Sequence, residues 1–150
     1  MLNATRETIY QALFVKLSQC YQFKTISRRY RLPNAVTQEQ RPAMFLVEGN
    51  ELVVQDFTGK PGETTLNVML YVYTWAKGRE DTGPPPISLL NPIVDAVVAV
   101  LTPDLVMLTQ NLGLPGIVHH AWIEGEIGKR AGDFDGEGLL TIPIKILCPG

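Results

Sequence analysis

Two histidines and two glutamates lie close together late in the chain, and their side chains could bind a metal or transfer a proton. His119 and His120 are followed by Glu124 and Glu126. In a strand, alternate residues face opposite sides, so His120 shares a face with Glu124 but lies about 13 Å from it, at about 3.3 Å per residue. Zinc ligands lie only about 2 Å from the ion. The pattern therefore favours a partly buried His119 that is hydrogen-bonded to backbone, beside a polar sheet face. A small metal-dependent enzyme is the alternative from another class.

Alternating acidic residues also occur in the segment Asp133-Phe134-Asp135-Gly136-Glu137. Calcium loops begin in this way, but their twelfth position must be a glutamate, and the twelfth residue counted from Asp133 is Ile144. Asp-Gly is a strong turn signal. We therefore predict a hairpin turn here, with weak calcium binding as the alternative.

Other catalytic patterns are absent from the sequence. It has no phosphate-binding glycine loop followed by Lys-Ser/Thr, no dinucleotide glycine motif and no Gly-x-Ser-x-Gly turn. Cys20 and Cys148 lie far apart and have neither metal-binding nor redox spacing, which favours reduced thiols. We predict that the chain is not an enzyme and that it uses no cofactor and no metal.

Residues suited to protein contacts are more frequent. A basic group comprises Lys24, Arg28, Arg29, Arg31 and Arg41. Arginine suits carboxylates on a partner subunit, or phosphates, and a solvated surface is the alternative. The spacing of aromatic residues among these basic residues is not the spacing that single-stranded nucleic acid binding requires, so we favour a protein partner.

A second contact candidate is the loop 56–63 together with the strand that follows it. The loop is either a plain turn or an arm that clasps a neighbour. One face of the strand carries Met69, Tyr71, Tyr73 and Trp75, residue types enriched at interfaces, although this face could also line a second core layer. The residues predicted to contact a subunit or partner are Arg28, Arg29, Arg31, Arg41, Asp56, Phe57, Lys60, Tyr71, Tyr73 and Trp75.

The elements that position these residues follow from hydrophobic periodicity and turn signals. Helices are predicted at Thr5–Cys20 and Ser88–Leu101, with a linker at 76–86 before the second. Predicted strands are 23–30, 43–47, 52–55, 64–75, 117–127 and 139–147, and Pro143 indicates an edge strand or a bulge. Strands grouped between helices predict an α+β fold: one domain over residues 1–150, with a mostly antiparallel sheet and two helices packed on one face.

The composition of the chain argues against several classes of function. The 150 residues have a net charge of -2, which argues against bulk electrostatic binding to nucleic acid. No run of about 20 apolar residues occurs, so no membrane span is predicted. The first residues lack the basic and apolar pattern of a signal peptide. A length of 150 residues suits one domain with its own core.

Three stretches together resemble a known family. They are Arg6-Glu7-Thr8-Ile9-Tyr10-Gln11-Ala12-Leu13-Phe14, Pro42-Ala43-Met44-Phe45-Leu46-Val47-Glu48-Gly49 and Val118-His119-His120-Ala121-Trp122-Ile123-Glu124-Gly125-Glu126. The pattern resembles the tail terminator, or tail completion, proteins of long-tailed bacteriophages, and the order of elements suits the lambda-type tail terminator fold. The resemblance spans roughly residues 5–147.

The resemblance implies a structural virion protein without catalytic residues. Proteins of that family form a hexameric ring that caps the tail tube, stops its polymerisation and offers a surface to the head–tail connector, while DNA passes through the central hole. The implied partners are further copies of the chain, the tail-tube protein and connector or neck proteins. The implied location is the virion, after assembly in the host cytoplasm. A head–tail joining or neck protein is the alternative within the same setting.

Overall fold

A mixed but mostly antiparallel sheet forms the centre of this protein, seen in a computed structural model that describes residues 3–56, 58–59, 61–76, 85–103 and 105–149. The helices are α1 (Asn3–Ser18) and α2 (Asn91–Val100). The strands are β1 (Thr25–Ser27), β2 (Ala43–Gln55), β3 (Pro61–Trp75), β4 (His120–Ile123), β5 (Gly128–Ala131) and β6 (Glu137–Cys148). Within these ranges the six strands are ordered β1-β2-β3-β6-β4, and β5 also pairs with β6.

Both helices pack on the same face of the sheet and bury the main core. Ile9, Leu13 and Leu17 recur every four residues along α1, so they form one stripe, and all three are fully buried. From α2, Ile93 and Val97 enter the same core. They meet the alternate residues of β3 and β6 that point to this face: Leu66, Val68, Leu70, Val72, Leu140, Ile142, Ile144 and Ile146. This arrangement confirms the predicted α+β fold. Neither helix has the length and apolar character needed to cross a membrane.

The second helix is shorter than predicted. Residues 86–90 form a 3-10 helix, and the α-helix begins only at Asn91. Pro92 explains the difference, because proline has no N–H to donate to a carbonyl four residues earlier and its ring would clash there. Pro92 itself lies in the first turn of α2, where its missing N–H costs nothing. The preceding predicted linker lies mostly outside the described residues, at positions 77–84.

The opposite face of the sheet carries a second, smaller core. Val36, Ala43, Phe45, Tyr73 and Leu139 are buried there, and Tyr71 packs against them. The segment 28–42 covers this end of the sheet after the short strand β1, which pairs in parallel with the start of β2. β1 has three residues rather than the eight predicted. For this end of the aromatic face, the second core layer is therefore the correct interpretation.

The prediction of one strand over residues 117–127 is wrong, because two short strands lie end to end along β6. β4 pairs with residues 144–147 and β5 with residues 138–141. The break falls opposite Pro143, whose carbonyl accepts a hydrogen bond from the Glu124 N–H at 3.3 Å. Backbone N and O of one strand residue point to the same side, so the missing N–H of Pro143 faces this break. Pro143 thus lies within a central strand, not at the predicted edge. Gly125, at φ 119°, turns the chain there.

The hairpin of β2 and β3 extends beyond the rest of the sheet. β1 leaves β2 after Phe45, and β6 ends opposite Thr64, so residues 51–63 have no further strand partner within the described chain. Residues 48–50 form a bulge, where the register shifts between Glu48 and Glu51. The Asn67 amide donates to the Asn50 carbonyl at 2.9 Å and fixes this bulge. The predicted loop 56–63 is shorter than expected, since β3 begins at Pro61.

Candidate assembly surfaces

The end of this hairpin, residues 51–56 with 61–63, is called here the hairpin tip. Leu52, Val53 and Val54 are each 55–62% exposed. Successive strand residues point to opposite faces, so apolar side chains lie on both faces of the tip. Asp56 is exposed at its end, and the Thr58 hydroxyl donates to its carboxylate at 3.2 Å. Phe57 and Lys60, also predicted as contact residues, lie outside the described residues.

The predicted arginine group does not form one cluster. Arg28 is held within its own subunit by an ion pair with Glu7, a second ion pair with Glu48 at 3.4 Å, and the ring of Tyr10 at 5.9 Å. The Arg28 guanidinium holds the pKa of the Glu7 carboxyl below its usual range, chiefly through their hydrogen bond. Arg31 donates to the Ala35 carbonyl. Arg29 is exposed, and its guanidinium contacts no partner in the described part of the chain.

Arg41 is buried instead of being part of the exposed group. Its Nη2 lies 2.7 Å from Glu137 Oε2, and both side chains are only 2% exposed. The Arg41 N–H groups donate to the carbonyls of Val36, Pro33 and Thr74 at 2.8–3.3 Å. Nη2 donates to Pro33 and Val36, so Glu137 Oε2 is paired by charge alone and accepts no hydrogen bond within the described residues. This ion pair ties the segment before β2 to the start of β6. Arg41 is thus a structural residue that no partner can touch directly in the folded subunit.

Tyr73 is also an internal residue. Its ring lies 5.6 Å from the Arg41 guanidinium, and its hydroxyl donates to the Arg31 carbonyl at 2.7 Å. Burial strongly raises the pKa of the Tyr73 hydroxyl. Trp75 is half-buried, with its ring 5.8 Å from the same guanidinium. Of the three predicted aromatic contact residues, Tyr71 and Tyr73 both line a groove, and Tyr71 is the more exposed of the two.

This groove, called here the tyrosine groove, has a volume of about 530 Å³ on the sheet face opposite the helices. Tyr30 and Tyr71 line it, with ring centroids 4.8 Å apart. Leu32, 58% exposed, lies beside them. Strand β5 forms the other wall, with Lys129 and Arg130 on it; the neighbouring Glu126 is the one acidic residue among those lining the groove. Sequence reasoning missed Tyr30, Leu32, Lys129 and Arg130, because only the fold brings residues 30–32 next to β5.

A second exposed apolar segment was also missed. Leu105, Val106, Met107 and Leu108, called here the apolar loop, are between 62% and 91% exposed. Leu108 has φ 60°, a left-handed conformation that is uncommon for leucine. A signal was present, since four consecutive apolar residues outside a helix or strand are typical of a contact surface.

The histidine and glutamate residues do not converge on a common centre. His119 is exposed, contrary to prediction, and His120 makes the hydrogen bond, accepting at Nδ1 from the Gln110 N–H at 3.0 Å. Burial, and secondarily the charge of His119, lower the pKa of His120. Glu124 pairs with Lys145 at 2.8 Å and accepts from the Trp122 indole. Among the described residues, no group of three or more histidine, cysteine or acidic side chains could hold a metal ion.

The predicted turn after β5 exists, but its last acidic residue has another role. Residues 132–136 turn the chain, and Glu137 then enters the buried ion pair with Arg41. No spacing rule connects positions 41 and 137, so the sequence could not reveal this pair. Cys148 is buried and Cys20 half-buried, and both are free thiols whose pKa is raised by burial.

Comparison with known proteins identifies the fold. No family model and no curated protein matches the sequence. Among solved structures, the chain is similar to one in the virion of a native gene transfer agent (GTA) particle, with a TM-score of 0.59 and 15% sequence identity. The likeness covers 99% of this chain and 100% of that chain. The two chains therefore share one fold from end to end.

Proposed function

We propose that this chain is a structural virion protein, and more specifically a tail terminator: a ring that caps the tail tube and stops its growth. The observation that carries the proposal is the end-to-end fold likeness to a chain of a gene transfer agent virion. The family resemblance of three separate stretches of sequence leads independently to the same kind of particle. Neither line of argument calls for catalysis or a cofactor.

The exposed apolar surfaces support an assembly role. Monomeric proteins rarely leave contiguous apolar segments in water, and the hairpin tip and the apolar loop are two separate ones on a single small chain. Each subunit of a ring-shaped cap must bind the neighbouring subunits of the ring, and it must also bind the end of the tube. The chain thus has one apolar surface available for each of these two contacts.

Termination requires that the ring present two unlike faces. One face must match the growing end of the tube, and the other must lack the surface that recruits the next ring of tube protein. If one apolar surface is used within the ring, the other remains for the tube end, and a subunit with a single such surface caps the tube, whereas a subunit with two equivalent faces would propagate it. The net charge of -2 also suits passing DNA, since like charges do not adhere.

A tube-growth experiment tests the proposal. Tail-tube protein from the same particle is polymerised with and without this chain, and tube lengths are measured in negative-stain images. We expect shorter tubes with a ring at one end, and a sixfold mass for the free or released ring by light scattering. The variant Met107→Asp in the apolar loop should reduce capping, whereas Val98→Asp, an exposed apolar residue of α2, serves as the matched control.

Two other results would change the conclusion. Tubes of unaltered length with no ring at their ends would contradict a terminator role. Binding to the portal–adaptor complex without binding to tube ends would identify a head–tail joining protein instead.

A further inference from the structure

We infer that the hairpin tip of one copy occupies the tyrosine groove of the next copy, and that this contact joins the subunits of the assembly. The inference deepens the proposed function, on whose ring it rests, by naming the two surfaces that meet. The partner is a second copy of this chain, bound head to tail.

The hairpin tip has the character of a segment that is covered in the assembled state. A two-stranded hairpin alone in water is marginally stable. Here both faces carry exposed apolar side chains, so one of them would stay in water even if the tip folded back on its own sheet. A groove that encloses the tip from two sides covers both faces at once.

The tyrosine groove is complementary to the tip in shape and in charge. It offers aromatic and aliphatic surface from Tyr30, Tyr71 and Leu32 within about 530 Å³. Residues 51–63 contain three acidic residues and one lysine; Glu51 is paired with Arg6 of its own subunit at 2.9 Å, which leaves Asp56 and Glu63 to face another copy. On the wall formed by β5, Arg130 supplies the positive charge and Glu126 is the single acidic residue, whereas the Lys129 ammonium donates to Asn91 of α2 at 3.1 Å on the helix side of the sheet. The exposed Arg29 lies in the adjoining depression that shares Tyr30 and Leu32, and adds a further positive charge.

The two surfaces of one copy cannot meet each other. Glu63 at the tip and Tyr71 in the groove lie on the same strand, about 26 Å apart at about 3.3 Å per residue. The contact must therefore join different copies. Because the two surfaces are unlike, the contact is heterologous, and repetition of a heterologous contact produces a closed ring or a helical filament.

A mixing experiment tests this contact directly. In the tip variant, Leu52→Asp and Val54→Asp place charges where apolar residues should enter the groove. In the groove variant, Leu32→Asp and Arg130→Glu make the groove more polar and reverse one of its charges. All four positions are exposed, so the fold should persist, and circular dichroism with the thermal midpoint checks this.

Each variant alone should self-associate more weakly than the unmodified chain, on the order of tenfold or more in the dissociation constant. An equimolar mixture should form a heterodimer and stop there. The intact groove of the tip variant accepts the intact tip of the groove variant, and no second contact is available. Val98→Asp, with the same change at an exposed residue outside both surfaces, should associate like the unmodified chain.

Three results would overturn the inference. They are unchanged self-association of either variant, a mixture that forms no heterodimer, and an unmodified chain that stays monomeric at about 1 mM, where a contact worth about 4 kcal/mol would already be half-populated. The last result leaves the proposed function intact, because a ring can assemble on the tube through other surfaces. Conversely, a ring built through this contact that caps no tube would refute the proposed function alone.

Discussion

Replacement of Arg41 by methionine should destabilise the protein more than replacement of any of the exposed arginines. Methionine preserves much of the length and apolar stem of arginine while it removes the charge and every N–H donor. The substitution leaves the Glu137 carboxylate buried with no cation beside it. It also removes the N–H groups that donate hydrogen bonds to the carbonyls of Pro33, Val36 and Thr74.

The expected magnitude follows from the burial of both partners. Breaking a fully buried ion pair by removing one member costs about 3–5 kcal/mol, because an uncompensated charge remains in the interior. For a domain of this size, each kcal/mol lowers the thermal midpoint by about 2–4 °C, so Arg41→Met should lower it by roughly 6–20 °C. Arg29→Met is the matched control, and at this exposed position the change should stay within about 0.5 kcal/mol.

Urea unfolding of four proteins provides the assay: the unmodified chain, Arg41→Met, Glu137→Met and the double variant. The double variant should lose less stability than the sum of the single variants, by about 1–3 kcal/mol, because it leaves no unpaired buried charge. A loss below about 1 kcal/mol for Arg41→Met, or strict additivity of the two substitutions, would refute the reasoning. Either result would mean that water or a rearranged backbone compensates Glu137 as well as Arg41 does.

Three further predictions concern other parts of the chain. Gly132→Ala should destabilise the fold by about 1–3 kcal/mol, because an added Cβ would lie 1.7 Å from Glu137 Oε1. Urea unfolding measures this loss of stability. An unchanged stability would mean that the Glu137 side chain can move aside. The ion pair of Glu7 with Arg28 stabilises the fold above the ordinary carboxyl pKa of 4.5, and this contribution is lost as the pH falls through the lowered pKa of Glu7. The difference in the free energy of unfolding between the unmodified chain and Arg28→Met should therefore shrink from pH 7 to pH 3. A constant difference would contradict the pairing. In His119→Ala the pKa of His120 should rise toward its ordinary value of 6.5. It should not reach that value, because burial is the larger cause of the lowered pKa. NMR titration of the His120 imidazole measures this, and an unchanged pKa would mean that the charge of His119 has no effect.

The parts of the fold that periodicity determines could be predicted from sequence. The stripe of Ile9, Leu13 and Leu17 places α1, and strict alternation from Leu66 to Val72 places β3 and its buried face. Both signals are local in the sequence, so they can be recognised without knowing which elements pack against them. The prediction of an edge strand or a bulge at Pro143 was wrong as to the edge, since β6 is a central strand, and the proline instead marks the interruption between β4 and β5.

Contacts between distant segments could not be predicted in this way. The pairing of Arg41 with Glu137 depends on how segment 28–42 crosses the sheet, and neither residue has a local signature of burial. The exposure of His119 and the hydrogen bond of His120 depend on where β4 begins, and a shift of one residue reverses the two faces. The tyrosine groove likewise exists only because the segment 30–32 and β5 lie side by side.

The interruption between β4 and β5 affects how this edge of the sheet can pair with other chains. An uninterrupted outer strand would offer a row of free N–H and C=O groups to any other newly made chain, which is the usual start of disordered aggregation. Here each of the two outer strands has only four residues, and Gly125 bends the chain between them at Pro143. Such an edge is a poor template for a long foreign strand, so this side of the sheet carries less risk of strand-to-strand aggregation than an uninterrupted strand would.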